Sequence, residues 1–152
     1  EDKVIDVRVT DGKQEILLGT KQGQTIRFNE DSVSDTGRNT IGSKGIKLNQ
    51  GDQVINMNIV EPDDYIVAIF NLQKRYGKGL KIATSSNYEM TAILSGKEDD
   101  YILIITDDED YRTVKIDQFA ATQRPGYMYS IDQINNDSKI VKVKKLPVYS
   151  EE

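Results

Sequence analysis

Apolar and polar positions alternate with a period of two from the first residues of the chain. Residues 3–9 read Lys-Val-Ile-Asp-Val-Arg-Val, the pattern of a strand with one dry and one wet face. Thr10-Asp11-Gly12-Lys13 follows as a turn carrying the Asp-Gly hairpin signal. Residues 15–20, the turn Lys21-Gln22-Gly23-Gln24 and residues 25–28 predict a hairpin. Further short strands are expected at 45–48, 54–60, 65–70, 80–83, 89–94, 101–106, 112–116, 128–131 and 140–146. Turn residues separate them, as at Asn49-Gln50-Gly51-Asp52, Glu61-Pro62-Asp63-Asp64 and Asn135-Asn136-Asp137. No window carries a 3.6-residue apolar stripe, so the fold class is all-β, with roughly ten or more strands. The expected core holds Ile16, Leu18, Ile26, Val54, Ile66, Ile102, Ile104 and Val114.

The strand pattern repeats. Thr20 and Arg38 lie 18 residues apart, as do Thr106 and Arg124, and the two copies are offset by 86 residues. Between them Arg75-x-x-x-Gly79 matches Arg38-x-x-x-Gly42, which gives three units at a mean spacing of 43 residues. That spacing fits four-stranded propeller blades of about 40–45 residues. One partial propeller-like domain over 1–152 is expected, with blade repeats at 1–60, 61–97 and 98–146 and with open blade edges able to self-associate.

Composition narrows the chemistry. The 152 residues suit one domain, and the absence of His and Cys excludes a Ser-His-Asp triad, a cysteine nucleophile and the usual zinc or haem ligands. No apolar run approaches the roughly 20 residues that span a bilayer, and the opening residues do not read as a signal peptide. A soluble, cytoplasmic protein with no cofactor and no membrane partner is expected. The net charge is −5, but it is segregated. Residues 71–88 hold Lys74, Arg75, Lys78 and Lys81 without an acid, and residues 98–110 hold seven acids without a base. Such a surface can bind an anion on one rim and repel it elsewhere.

Ile16-Leu17-Leu18-Gly19-Thr20-Lys21-Gln22-Gly23-Gln24-Thr25-Ile26-Arg27-Phe28 and Gly37-Arg38-Asn39-Thr40-Ile41-Gly42 resemble the repeat of the C-terminal domain of the bacterial type II topoisomerase A subunit, in DNA gyrase and topoisomerase IV. Gln73-Lys74-Arg75-Tyr76-Gly77-Lys78-Gly79 is similar to the glycine-rich gyrase box, with Tyr76 where that box has a glycine. In the third repeat Pro125 and Met128 depart from the pattern. The resemblance implies a β-pinwheel, a propeller-like disc with double-stranded DNA wrapped around its rim without sequence preference. It implies part of an ATP-dependent enzyme, with gyrase favoured over topoisomerase IV. The cleaving tyrosine would lie in another domain, and the partners would be the remainder of the A subunit and the ATPase subunit, in the nucleoid. The candidate DNA-binding residues are Arg27, Arg38, Lys44, Lys47, Lys74, Arg75, Lys78, Lys81, Arg112, Lys115 and Arg124.

Glycines let backbone N–H groups approach phosphates, and flanking Lys and Arg release condensed counterions. The alternative for each Arg-x-x-x-Gly is a structural turn whose arginine pairs with a nearby acid. A rival function is a propeller fragment that contacts a protein partner through its acidic face. Asp107-Asp108-Glu109-Asp110 lacks the alternating spacing of an EF-hand loop and reads as a solvated hairpin tip. Gly77-Lys78-Gly79 lacks the rest of a Walker A loop. Tyr65, Tyr88 and Tyr101 read as packing residues, while Tyr76 and Tyr127 stand inside basic loops.

Overall fold

A computed structural model describes residues 3–72, 88–119 and 138–146. The strands are β1 (Glu15–Thr20), β2 (Thr25–Asn29), β3 (Val54–Val60), β4 (Tyr65–Leu72), β5 (Tyr88–Gly96), β6 (Tyr101–Thr106), β7 (Tyr111–Lys115) and β8 (Ile140–Lys145). Two 3-10 turns, Glu30–Ser32 and Ile116–Gln118, follow β2 and β7. All pairing is antiparallel, in three sheets ordered β2-β1-β3, β4-β5 and β7-β6-β8.

The first and third sheets are copies at the 86-residue offset, down to single hydrogen bonds. The ladder between β1 and β3 shifts register between Gly19 and Thr20, and that between β6 and β8 between Ile105 and Thr106. The Thr20 N–H donates to the Gln24 carbonyl at 2.9 Å and the Thr106 N–H to that of Asp110 at 3.0 Å. The Lys21 N–H donates to the Gln53 carbonyl and the Asp107 N–H to the Lys139 carbonyl, both at 2.9 Å. Both threonines are buried. Their hydroxyls explain the choice of residue: Thr20 Oγ1 accepts from the Gln24 N–H at 3.0 Å, and the Thr106 hydroxyl donates to Asp108 Oδ1, two residues into its turn. The turn then needs a left-handed residue three positions on. Gly23 supplies it at φ 88°, and Glu109 occupies the same place at φ 63°.

β5 is the common wall of the two halves. Its Met90 and Ile93 pack with Leu17 and Val60 of the first sheet, and Ile55 and Phe70 close that layer. Its Leu94 joins Val67 and Ile69 of β4 against Ile102, Ile104, Ile116 and Ile140 of the third sheet. One strand can serve both layers because its ladder with β4 slips: Ile69 pairs Ala92, but Phe70 pairs Met90. An extra residue, Thr91, thus returns Met90 to the same face as Ile93. Burying each such large side chain contributes about 1.5–3 kcal/mol.

Asparagine side chains stitch the layers. Asn56 Nδ2 and Asn58 Nδ2 donate to the Ile93 carbonyl at 2.5 and 2.6 Å, and Ser95 Oγ donates to the Ile59 carbonyl at 2.6 Å. Toward the third sheet, buried Asn71 donates from Nδ2 to the Ile140 carbonyl at 2.7 Å and accepts the Ile140 N–H at 2.8 Å.

Several expectations need correction. Residues 3–9 do not form a strand: no described strand pairs with them, and Val4, Ile5, Val7 and Val9 are exposed. Residues 45–48 are not a strand either, but cross over β1, where a Cβ on Gly45 would stand 2.7 Å from Leu18 Cδ1. The expected strands at 80–83 and 128–131 lie outside the described residues, among which the sheets hold three, two and three strands rather than four. Ile16, Ile102 and Ile104 are buried as expected, whereas Leu18, Val54 and Val114 are half-buried and Ile26 and Ile66 exposed. In β4 the inward parity is Val67, Ile69 and Asn71, which turns Ile66 out. Ile26 lies on an edge strand.

Two substitutions test this architecture. A Cβ at Gly19 would meet Ile93 Cγ2 at 2.4 Å and Met90 Cε at 2.9 Å, so Gly19→Ala should destabilise the fold by about 1–3 kcal/mol. Glu109→Gly should stabilise it by about 0.5–1 kcal/mol, since a left-handed L-residue costs about 1–2 kcal/mol and glycine's chain entropy offsets only part. Urea unfolding of both variants checks the two signs.

Candidate nucleic-acid interface

The fold sorts the candidate bases into paired and unpaired. Arg27 on β2 donates from Nε and Nη2 to Glu15 Oε2 on β1. Arg112 on β7 donates to Asp110 Oδ1 at 2.8 Å and to the Tyr111 carbonyl at 2.7 Å. Lys115 Nζ stands 2.8 Å from Asp117 Oδ2 and 2.6 Å from Asp99 Oδ1. Hydrogen bonds to Asp117 and then Asp99 lift its ammonium above the usual lysine range. Exposed pairs of this kind contribute little to stability, yet they neutralise charge that a phosphate would otherwise meet. These three bases therefore pair with neighbouring acids.

Arg38, Lys44 and Lys47 do not. They lie on the long connection between β2 and β3, all exposed, and none forms an ion pair with a described residue. The connection is held at its root, where the Gln22 N–H donates to Asp52 Oδ1 at 2.9 Å and Gln22 Nε2 to the Gln50 carbonyl at 3.3 Å. At its tip the N–H and hydroxyl of Thr40 both donate to the Gly37 carbonyl, at 3.3 and 2.7 Å. Arg38 thereby sits at the corner of a tight turn. Gly42 follows at φ 82°, with open space where a Cβ would be. Residues 36–51 contain these three bases and no acid. Charge balance over a window is the signal that finds this stretch; a motif centred on Arg38 alone does not. The other candidates, Lys74, Arg75, Lys78, Lys81 and Arg124, and the rest of the box (Gln73, Tyr76, Gly77 and Gly79) lie outside the described residues.

The acidic stretch has structural work. Asp99 and Asp100 pair with Lys115 and Lys145, at 2.6 and 3.6 Å. Asp107 Oδ1 accepts the Lys139 N–H at 2.8 Å, and Asp108 Oδ2 accepts from Ser138 Oγ at 2.7 Å. Asp108 also accepts from the Thr106 hydroxyl. The bonds from Ser138 and then Thr106 hold the Asp108 carboxyl below the usual aspartate value. Among the described residues no group of three or more acidic side chains is arranged to hold a metal ion, and no helix is long and apolar enough to cross a membrane.

Small antiparallel sheets stacked face to face on shared apolar layers define a propeller-type β domain. Comparison with known proteins gives the same class and adds a family. The family described as DNA gyrase C-terminal domain, beta-propeller, matches residues 14–61. The DNA gyrase A subunit of Haloquadratum walsbyi is 40% identical over 53% of this chain and 11% of its own length. Those of Staphylococcus epidermidis and Staphylococcus aureus are 31% and 33% identical over 70% of this chain and 14% of theirs. A crystal structure of the C-terminal domain of DNA topoisomerase IV superposes with a TM-score of 0.76, at 22% identity, over 93% of this chain and 49% of that one. The chain belongs to the C-terminal domain family of the type II topoisomerase A subunit. It spans only about a tenth to a seventh of the length of these curated relatives.

The depressed Asp108 carboxyl fixes a pH dependence. Its contribution to stability is fully present above the ordinary aspartate value of 3.8 and is lost as pH falls through the lower folded value. In Asp108→Asn that component is missing. The gap in urea midpoint between parent and variant should be widest above about pH 5 and close toward pH 2. A gap constant across this range would contradict the assignment.

Proposed function

We propose that this domain binds double-stranded DNA without sequence preference and wraps it around its rim, as the non-catalytic C-terminal part of an A subunit. The observation that carries the reading is the acid-free loop over 36–51, which presents Arg38, Lys44 and Lys47 to solvent with no ion-pair partner among the described residues. Arginine grips a phosphate with two parallel bonds, and lysine adds a point charge. The turn at Gly37–Thr40 holds the arginine outward while Gly42 leaves room for a backbone to approach. The blade division 1–60, 61–97 and 98–146, with the basic box between β4 and β5, would repeat such loops along a curved track. Contacts to phosphate position a duplex, and its bendability sets the cost of wrapping.

The parent is read as DNA gyrase in preference to topoisomerase IV, on the near-complete box at 73–79. It would act with an ATPase subunit in the cytoplasm, at the nucleoid, and the cleaving tyrosine would lie in another part of the A subunit. The rival reading, a protein partner on the acidic face, loses ground because Asp99, Asp100, Asp107, Asp108 and Asp110 are spent on internal bonds.

Two triple variants test the proposal: Arg38, Lys44 and Lys47 to Ala, and Lys74, Arg75 and Lys78 to Ala. Each should weaken binding alike for any DNA sequence and lower the log–log salt slope by about 0.9 for every phosphate that is no longer neutralised. Arg27→Ala, removing a base already paired with Glu15, should leave the slope within the error of the parent. Unchanged affinity and slope in both triples would refute the proposal.

A further inference from the structure

Asp52 is the first acid after the acid-free stretch 36–51. By charge alone it would oppose an anion bound there, but its geometry gives it another task. Its Oδ1 accepts the Gln22 N–H from the β1–β2 turn and the Gln53 N–H ahead of β3, both at 2.9 Å. Its own N–H donates to the Asn49 carbonyl at 3.1 Å, closing a turn that Gly51 enters at φ 74°. Gln22 Nε2 reaches the Gln50 carbonyl from the same side at 3.3 Å. Oδ2 is buried, so the carboxylate is turned into this root and away from solvent. Earlier in the connection, Gly45 lies so close to β1 that a Cβ would stand 2.7 Å from Leu18 Cδ1. Lys47 is thus held between two fixed points, one resting on β1 and the other on Asp52, and Lys44 adjoins the first.

The 86-residue repeat shows that the joint is kept while its chemistry changes. Gln22, Asp52 and Gln53 have Asp108, Ser138 and Lys139 as their images. In the first sheet the carboxylate stands on the connection and receives a donor from the turn. In the third sheet the carboxylates stand on the turn instead: Asp108 Oδ2 accepts from Ser138 Oγ at 2.7 Å, and Asp107 Oδ1 accepts the Lys139 N–H at 2.8 Å. Donor and acceptor have changed places across one joint. What the two copies share is the position that the joint fixes.

We propose that Asp52 is a positioning residue for the basic connection: clamped to the β1–β2 turn, it holds the backbone that carries Lys44 and Lys47 at the spacing a duplex meets. The inference rests on the DNA-binding reading above and names what orders that site. A held loop has its ordering cost met on folding, whereas a loose one meets it on binding. Without the clamp the same bases still reach phosphates, so the count of phosphates neutralised stays while affinity falls.

Asp52→Ala removes the acceptor and, with it, one negative charge beside a polyanion. Charge alone would tighten DNA binding. Lost positioning should instead weaken it roughly three- to tenfold at the parent's log–log salt slope. Asp52→Asn keeps an acceptor oxygen without the charge and should bind at least as tightly as the parent. Gln22→Asp sets a second carboxylate against Asp52 and should weaken binding. Adding Asp52→Ser to it rebuilds the Asp108–Ser138 pair at unchanged net charge and should recover most of that loss. Trypsin reads the joint without DNA: cleavage after Lys44 and Lys47 should be several-fold faster in Asp52→Ala than in the parent or Asp52→Asn. Circular dichroism and urea midpoints keep unfolding apart from a loosened loop. A parent that binds no DNA overturns the reading on which the inference rests. A parent that binds, with Asp52→Ala binding as tightly or cut no faster, overturns the positioning role alone.

Discussion

The structure depends on a single strand having to satisfy two apolar layers. β5 sends Met90 and Ile93 one way and Leu94 the other, and the slipped register at Thr91 is what permits it. Remove that wall and neither outer sheet keeps a core, because each is a few strands wide and a small isolated sheet is marginal in water. Close packing follows from the same demand. Gly19 is glycine because Ile93 and Met90 occupy the space of its side chain. Asn56, Asn58 and Asn71 then satisfy backbone groups that the adjoining sheets leave without ladder partners, so the layers are fixed in rotation as well as in distance.

Long connections in such a fold run over the surface, because a buried loop would leave backbone groups unsatisfied. The segment between β2 and β3 is such a connection, and its exposed bases are a consequence of the architecture. The same constraint disposes of the acids. The Asp107 and Asp108 carboxylates brace a hairpin against residues 138–139, so part of the most acidic stretch of the chain serves as internal scaffolding. A domain with net charge −5 can in this way keep a basic connection exposed between β2 and β3.

Much of this was legible in the sequence, and for a physical reason. The 86-residue offset that aligns Thr20 with Thr106 also aligns the bulges, the turn bonds and the strand ends, because a threonine hydroxyl inside a turn is a local requirement that leaves a local mark. Residue parity was harder. Ile26 and Ile66 have the hydrophobicity of core residues, but an edge strand for the one and, for the other, the inward parity of Val67, Ile69 and Asn71 decide their exposure, and both are set by which neighbours a strand packs against. Residues 3–9 show the limit most plainly: their alternation is a strand's, yet a strand needs a neighbour, and none stands beside them among the described residues. Among the bases, motif and composition treated Arg27 and Arg38 alike; Glu15, across the ladder from one and not the other, separates them.

The claim that the basic rim bends DNA around the domain is most directly tested by topology. A closed circular plasmid is nicked and religated with the domain bound at saturation, and the mean linking number is read from the topoisomer ladder. Wrapping predicts a shift of one sign that grows with the number of domains bound and vanishes at high salt. A distribution unchanged under conditions where the DNA is demonstrably occupied would contradict the account.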